Sequence, residues 1–187
     1  MVQSKILVDT NAYIRMAKSI RPLLFCEFGA DQYCLYIIPE LNQELQNKRL
    51  THKFPWVEGA EYADNRKNFP VLSRKQKASI KDTFEFIWSY VKENLIGTSR
   101  VDALYIAYAI ELEIPVVTDD QEMTELAKVF DCKVMPTLQV LKIMFDAGHI
   151  DMKVIDGLVN YWRYIQDEPA NLVKDYKRFF GKKLPAS

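Results

Sequence analysis

The feature that most constrains this chain is a repeated hand-over: a short apolar run stops at a polar residue and a helical pattern begins at once. Lys5-Ile-Leu-Val8 runs into Asp9-Thr-Asn11, after which Tyr13, Ile14, Met16, Ala17 and Ile20 recur at helical spacing. Gln32 to Ile38 reads as a second strand, closed by Pro39, whose fixed φ suits the first turn of a helix through Leu45. Ile114-Pro-Val-Val117 and Cys132-Lys-Val-Met135 read as a third and a fourth strand, with a helix from Gln121 to Phe130 between them. Buried strands that alternate with helices imply a parallel sheet covered on both faces, because parallel crossovers place their helices there. The expected fold is α/β, a three-layer α/β/α sandwich around a mainly parallel sheet of four or five strands. Such sheets put function at the carboxyl ends of their strands.

The rest of the chain decorates this frame. From Lys48 to Leu72 the pattern loosens around Pro55, Gly59 and Pro70, which predicts a loop-rich, partly helical insertion over about 46–72. Ser73-Arg-Lys-Gln76 has the form of a capping box and opens a long helix carrying Ile80, Phe84, Ile87, Trp88 and Val91, ended by Gly97. Ser99-Arg-Val-Asp102 opens another, through Glu113. The last quarter reads as three helices, Leu138–Phe145, Val154–Tyr164 and Leu172–Phe180. The expected organisation is one α/β domain over 1–150 with a helical extension, 151–187, packed on it. At 187 residues the chain can bury a sizeable core without disulfides or structural metal.

Lys plus Arg and Asp plus Glu both number 25, so the whole chain exerts no net attraction on a polyanion or an anionic membrane. Any polyanion must be held locally. Cys26, Cys34 and Cys132 are odd in number and lack a CxxC spacing, and their apolar neighbours mark them as reduced core thiols. No apolar run reaches the ~20 residues that span a bilayer, and the amino terminus lacks an export signal. The expectation is a cytoplasmic protein with no membrane partner.

Five carboxylates stand at the hand-over points or beside them. Asp9 ends the first strand, Asp102 lies in the first turn of a helix, and Asp119-Asp120 follow the third strand. Glu44 lies one turn beyond Glu40, so only one of the two faces the same cleft as Asp9, and Glu44 is the choice. Acidic groups meeting in a cleft repel one another, at a cost of several kcal/mol unless cations compensate. Oxygen ligands without His or Cys suit magnesium or manganese better than zinc. His52 and His149 lie outside the cluster. Metal held in this way can activate water and neutralise charge on a phosphodiester, which is hydrolytic nuclease chemistry.

Ile6-Leu-Val-Asp9-Thr-Asn11, Ile38-Pro-Glu-Leu-Asn-Gln-Glu44-Leu45, Asp102-Ala-Leu-Tyr-Ile-Ala-Tyr-Ala109 and Val117-Thr-Asp-Asp120 resemble the motifs of the PIN-domain ribonucleases. The resemblance covers roughly residues 5–145 and is greatest to the VapC-type toxins of type II toxin–antitoxin modules. It implies a PIN-like sandwich and a metal-dependent endoribonuclease acting on RNA. Asp9, Glu44, Asp102 and Asp120 would be the catalytic, metal-binding residues. Asp119 would substitute or assist, and Asn11 and Thr118 would steady the ligands. The resemblance also implies a cognate antitoxin and a homodimer. The chain departs from the compact toxins in its insertion and in its helical tail.

Each acidic position has a plainer reading. Asp9, Asp102 and either Asp119 or Asp120 are well placed to cap helices, and Glu44 could be a solvated helix residue. What favours metal binding is that all four slots are filled in order. For RNA contact, Lys48, Arg49, Lys53 and Arg74 supply cations, and Trp56 supplies a face on which a base can stack. The Tyr105, Tyr108 and Leu112 stripe reads as core or as an apolar dimer face. Two rivals stand: an inactive PIN-like scaffold that binds a partner, and a phosphoryl-accepting α/β domain. Asp9-Thr-Asn11 lacks the second Asp that the phosphatase pattern carries. No GxxxxGK[ST] or GxGxxG motif occurs, so nucleotide hydrolysis and dinucleotide chemistry have no support.

Overall fold

The computed structural model describes residues 4–20, 27–94 and 97–186. Cys26 lies outside them. Four strands, β1 (Ser4–Val8), β2 (Tyr33–Tyr36), β3 (Val116–Val117) and β4 (Val134–Met135), form an all-parallel sheet in the order β2-β1-β3-β4 among the described residues. Helices flank it: α1 (Thr10–Ile20), the single turn α2 (Leu41–Glu44), α3 (Lys48–Lys53), α4 (Ala60–Asn65), α5 (Arg74–Asn94), α6 (Arg100–Leu112), α7 (Gln121–Val129), α8 (Thr137–Asp146), α9 (Met152–Tyr164) and α10 (Leu172–Phe180). The α/β class and the parallel sheet are as expected.

The strands are shorter than the apolar runs that encode them, and the backbone explains why. The Ile114 amide closes the end of α6 by donating to the Ala109 carbonyl at 3.0 Å. Pro115 has no amide to give, so the β3 ladder starts at Val116. Cys132 donates to Ala127 at 2.8 Å, after Asp131 has turned left-handed at φ 52°, so β4 starts late too. Ile37 leaves the sheet to donate to Asn68 of the insertion at 3.1 Å.

The strand order sets where the path of the chain across the sheet reverses direction. From β1 the chain moves one way to β2, then crosses back over β1 to β3 and continues to β4. Right-handed crossovers in opposite directions put their helices on opposite faces, and the switch opens a crevice at the carboxyl ends of β1 and β3. Val8 pairs with Val117 there, which sets Asp9 beside Thr118.

The insertion and the extension are built into the same core. Arg66 of the insertion is buried. Its guanidinium donates to Asn42 at 2.9 Å and to the Val57 carbonyl at 2.8 Å. Ile155, Leu158, Val159, Trp162, Leu172 and Tyr176 of the extension join the core under the sheet helices. The Trp162 indole donates to the Arg15 carbonyl at 2.9 Å and ties α9 to α1. Tyr105 and Tyr108 are core residues of this chain. Cys34 is buried and Cys132 half-buried, neither in a disulfide, and burial pushes the Cys132 thiol up to about 11. Among the described residues, no helix is long and apolar enough to cross a membrane.

Candidate metal centre

Each acidic residue arrives at the crevice for a local reason. Asp9 follows β1, and its Oδ1 accepts the Ala12 amide at 2.6 Å, so it caps α1. The Thr118 hydroxyl also bonds its carboxylate. Asp102 completes a capping box, accepting the Ser99 amide at 3.0 Å while its own amide donates to the Ser99 hydroxyl at 3.0 Å. Asp120 caps α7, its Oδ1 accepting the Met123 amide at 2.8 Å, and its amide donates to Thr118 Oγ1 at 3.0 Å. The amino termini of α1, α6 and α7 thus point their partial positive charge towards one region. Each cap occupies one carboxylate oxygen.

Glu44, at the end of α2, accepts a short hydrogen bond from the Thr10 hydroxyl. Glu40 lies instead beside Tyr108 and helps to push that phenol up to about 12, after burial. Of the two, Glu44 is the one that reaches the region of Asp9. Thr10 is a contributor that sequence reasoning passed over, although it stands between two singled-out residues.

Electrostatics bind the group together. Burial first, and then the charges of Asp119 and Asp102, push Asp9 up to about 7 against the pull of its hydrogen bonds. Glu44 is raised by burial and by the charge of Asp102. Asp102 is raised by burial and by the charges of Asp120 and Glu122. Glu122 is a second unforeseen member. Its carboxylate lies so close to Gly97 that a Cβ there would sit 2.3 Å from Oε2, and Gly97 itself has φ +111°. Gly97→Ala is therefore expected to cost about 1–2 kcal/mol, because both the backbone and Glu122 must shift. Chemical denaturation of the variant measures it.

Asp119 has a different role. Its Oδ2 pairs with the Arg15 guanidinium at 3.0 Å and accepts the Thr137 hydroxyl at 2.5 Å, while Oδ1 accepts the Thr137 amide at 3.0 Å. Both oxygens are committed to protein groups. Arg15 also bonds the Asp167 carbonyl at 3.1 Å and its carboxylate at 3.4 Å, so the β3 end is clamped to the extension. Lys53 reaches the same Asp167 carboxylate at 3.4 Å, which brings the insertion into the clamp.

The supporting and RNA-contact candidates divide in the same way. Thr118, 3% exposed, holds both Asp9 and Asp120, whereas Asn11 is exposed on the first turn of α1. Lys48, Arg49, Lys53 and Arg74 are exposed. Trp56 is half-buried, its ring packed 4.7 Å from Tyr62 and 6.3 Å from Phe54, so its faces already serve the insertion's own cluster.

No protein-family model matches this chain, and neither the curated proteins nor the solved structures searched give a match.

As placed, no three His, Cys, Asp or Glu side chains among the described residues are gathered tightly enough to hold an ion. The compact four-carboxylate sphere expected from the sequence is not assembled in this structure. The physical reason is visible in the caps: like charges separate, and each carboxylate turns one oxygen to its own helix or to a neighbouring hydroxyl. The charges around these groups are of the kind that a hard divalent cation would relieve. The charges that raise Asp9, Glu44 and Asp102 are all those of other carboxylates. Beneath them the Tyr105 hydroxyl is wholly buried beside Thr10 and the Ile38 backbone, pushed well above its ordinary range by burial first and then by the charges of Asp9 and Glu44.

Proposed function

We propose that this chain is a magnesium- or manganese-dependent endoribonuclease that hydrolyses RNA phosphodiester bonds at the carboxyl ends of β1 and β3. What carries the reading is the electrostatic coupling through Asp102, whose charge raises Asp9 and Glu44 and which is itself raised by Asp120, with no cation among the charges that shift them. Their carboxylates would hold one or two ions, and a divalent ion there supplies water activation and neutralises charge on the phosphate. Thr118 orients Asp9 and Asp120, and Thr10 orients Glu44. Asp119 stands behind them as a structural anchor. The motifs that resemble those of PIN-domain ribonucleases lie on the same four segments, which favours RNA as the substrate.

Incubating a mixed RNA pool with the purified chain tests this reading. Cleavage that requires manganese or magnesium, stops with EDTA and is lost in Asp9→Asn and Asp102→Asn is the expected result. A second reading has its own observation: three of the four carboxylates already cap helices, as they would in an inactive scaffold. Absence of both cleavage and metal binding selects it. On the nuclease reading, the biological role is that of a toxin restrained by a cognate antitoxin and acting as a homodimer in the cytoplasm. Induced expression is expected to arrest growth, and unaffected growth would remove the toxin role while leaving the chemistry to the assay.

A further inference from the structure

Beside the carboxylates, α7, the end of β4 and α10 enclose a groove of about 400 Å³ that the proposed chemistry does not use. Thr118 and Asp119 form its inner end, Pro136 and Pro169 contribute apolar walls, and Lys174 and Arg178 of α10 line it from the extension. We propose that this groove seats the single-stranded RNA on one side of the scissile phosphate, with Lys174 and Arg178 contacting its backbone. The inference rests on the nuclease reading and extends it to the substrate's path.

Continuity is the first argument. Thr118 bonds Asp9 and also lines the groove, and Asp119 and Asp120 are adjacent in the chain, so a strand leaving the carboxylates passes directly into it. Size is the second. The volume falls within the range of small-ligand sites, enough for roughly one or two nucleotides and far too little for a duplex. Charge is the third. Of the acids lining the groove, Asp119 is neutralised by Arg15 at 3.0 Å and Glu125 by Lys128 at 2.7 Å. The charged lining balances, Asp119, Glu125 and Asp175 against Lys128, Lys174 and Arg178, but the two exposed cations of α10 face Asp175 alone. Cations beside an acidic cleft are what a polyanion needs to approach it, and proline and aliphatic walls accept a base without reading its sequence.

The test compares Asp102→Asn, in which cutting is blocked, with Asp102→Asn carrying Lys174→Glu and Arg178→Glu. Binding of a labelled short single-stranded RNA is followed by anisotropy over a salt series. The charge reversals are expected to weaken binding about tenfold or more and to flatten the log–log salt slope by about 1.4, two phosphates' worth for a single strand. Manganese binding by the otherwise wild-type double reversal and its melting temperature should stay unchanged, since both side chains are exposed. RNA affinity that survives the reversals would overturn the groove assignment and leave the nuclease reading intact. A parent that neither binds nor, with its Asp102 restored, cuts RNA would overturn both. Loss of binding to an acidic peptide, with RNA affinity preserved, would assign the groove to a protein partner and end the proposal.

Discussion

Asp9→Asn is expected to stabilise the metal-free protein at pH 8 by about 3 kcal/mol and, on the proposed nuclease reading, to abolish RNA cleavage. Burial and neighbouring carboxylates push Asp9 up to about 7 in the folded chain, against an ordinary value of 3.8. Between those values the folded state holds a proton that the unfolded state has lost. Stability therefore falls as pH rises from about 4 to about 7 and stays low above, by on the order of 4 kcal/mol at about 1.4 kcal/mol per pH unit. Asparagine keeps an oxygen to accept the Ala12 amide but weakens the bond from Thr118, which reduces the gain. Urea denaturation in EDTA at pH 5 and pH 8 measures the effect. The wild type should lose stability between the two and the variant should lose less, because Glu44 and Asp102, which are also raised, remain in it. Manganese should then stabilise the wild type at pH 8 and leave the variant unmoved. A variant less stable than wild type at pH 8 would mean that the Asp9 charge is already compensated within the chain.

Arg15→Met is expected to cost about 3 kcal/mol, because it strands the Asp119 carboxylate in a site where the two side chains are only 11% and 5% exposed. Removing one partner of a buried pair leaves an uncompensated charge, and the loss exceeds the net contribution of the pair itself. Adding Asp119→Asn to Arg15→Met should recover a large part of the stability, since the neutral amide can still accept the Thr137 amide. The same substitution separates two roles for Asp119. Asp119→Asn alone should retain manganese binding if Asp119 anchors β3 to the extension, and should lose it if Asp119 is a ligand. Because Arg15 also holds Asp167, its loss should loosen the extension and show as faster amide exchange in α9.

The alternation of strand and helix was legible because it depends on local apolar spacing, and so was the position of Asp9 at the end of a strand. Glu44 was separable from Glu40 by helical geometry alone. The choice between Asp119 and Asp120 was not legible, since either can precede α7 as its cap. What decides it is Arg15, 104 positions away, whose contact has no signature in the sequence around Asp119. Trp56 shows a related limit: an aromatic among basic residues reads as a base-stacking platform, and its packing against Tyr62 has no signature in that local pattern. Strand ends were lost to backbone accounting at Ile114, Pro115 and Cys132, where amides serve the preceding helix or are missing. The tight ligand sphere was expected from motif order, but order places carboxylates in one crevice without saying which way each turns when only helix amides are there to receive it.

The central claim is that the crevice at β1 and β3 is a divalent-metal site, and titration of manganese into the purified chain, followed by electron paramagnetic resonance, tests it most directly. The account predicts saturable binding at neutral pH that is displaced by magnesium and lost in both Asp9→Asn and Asp102→Asn while Asp119→Asn retains it. No binding by the folded wild type, or binding that survives in both of the first two variants, would contradict it.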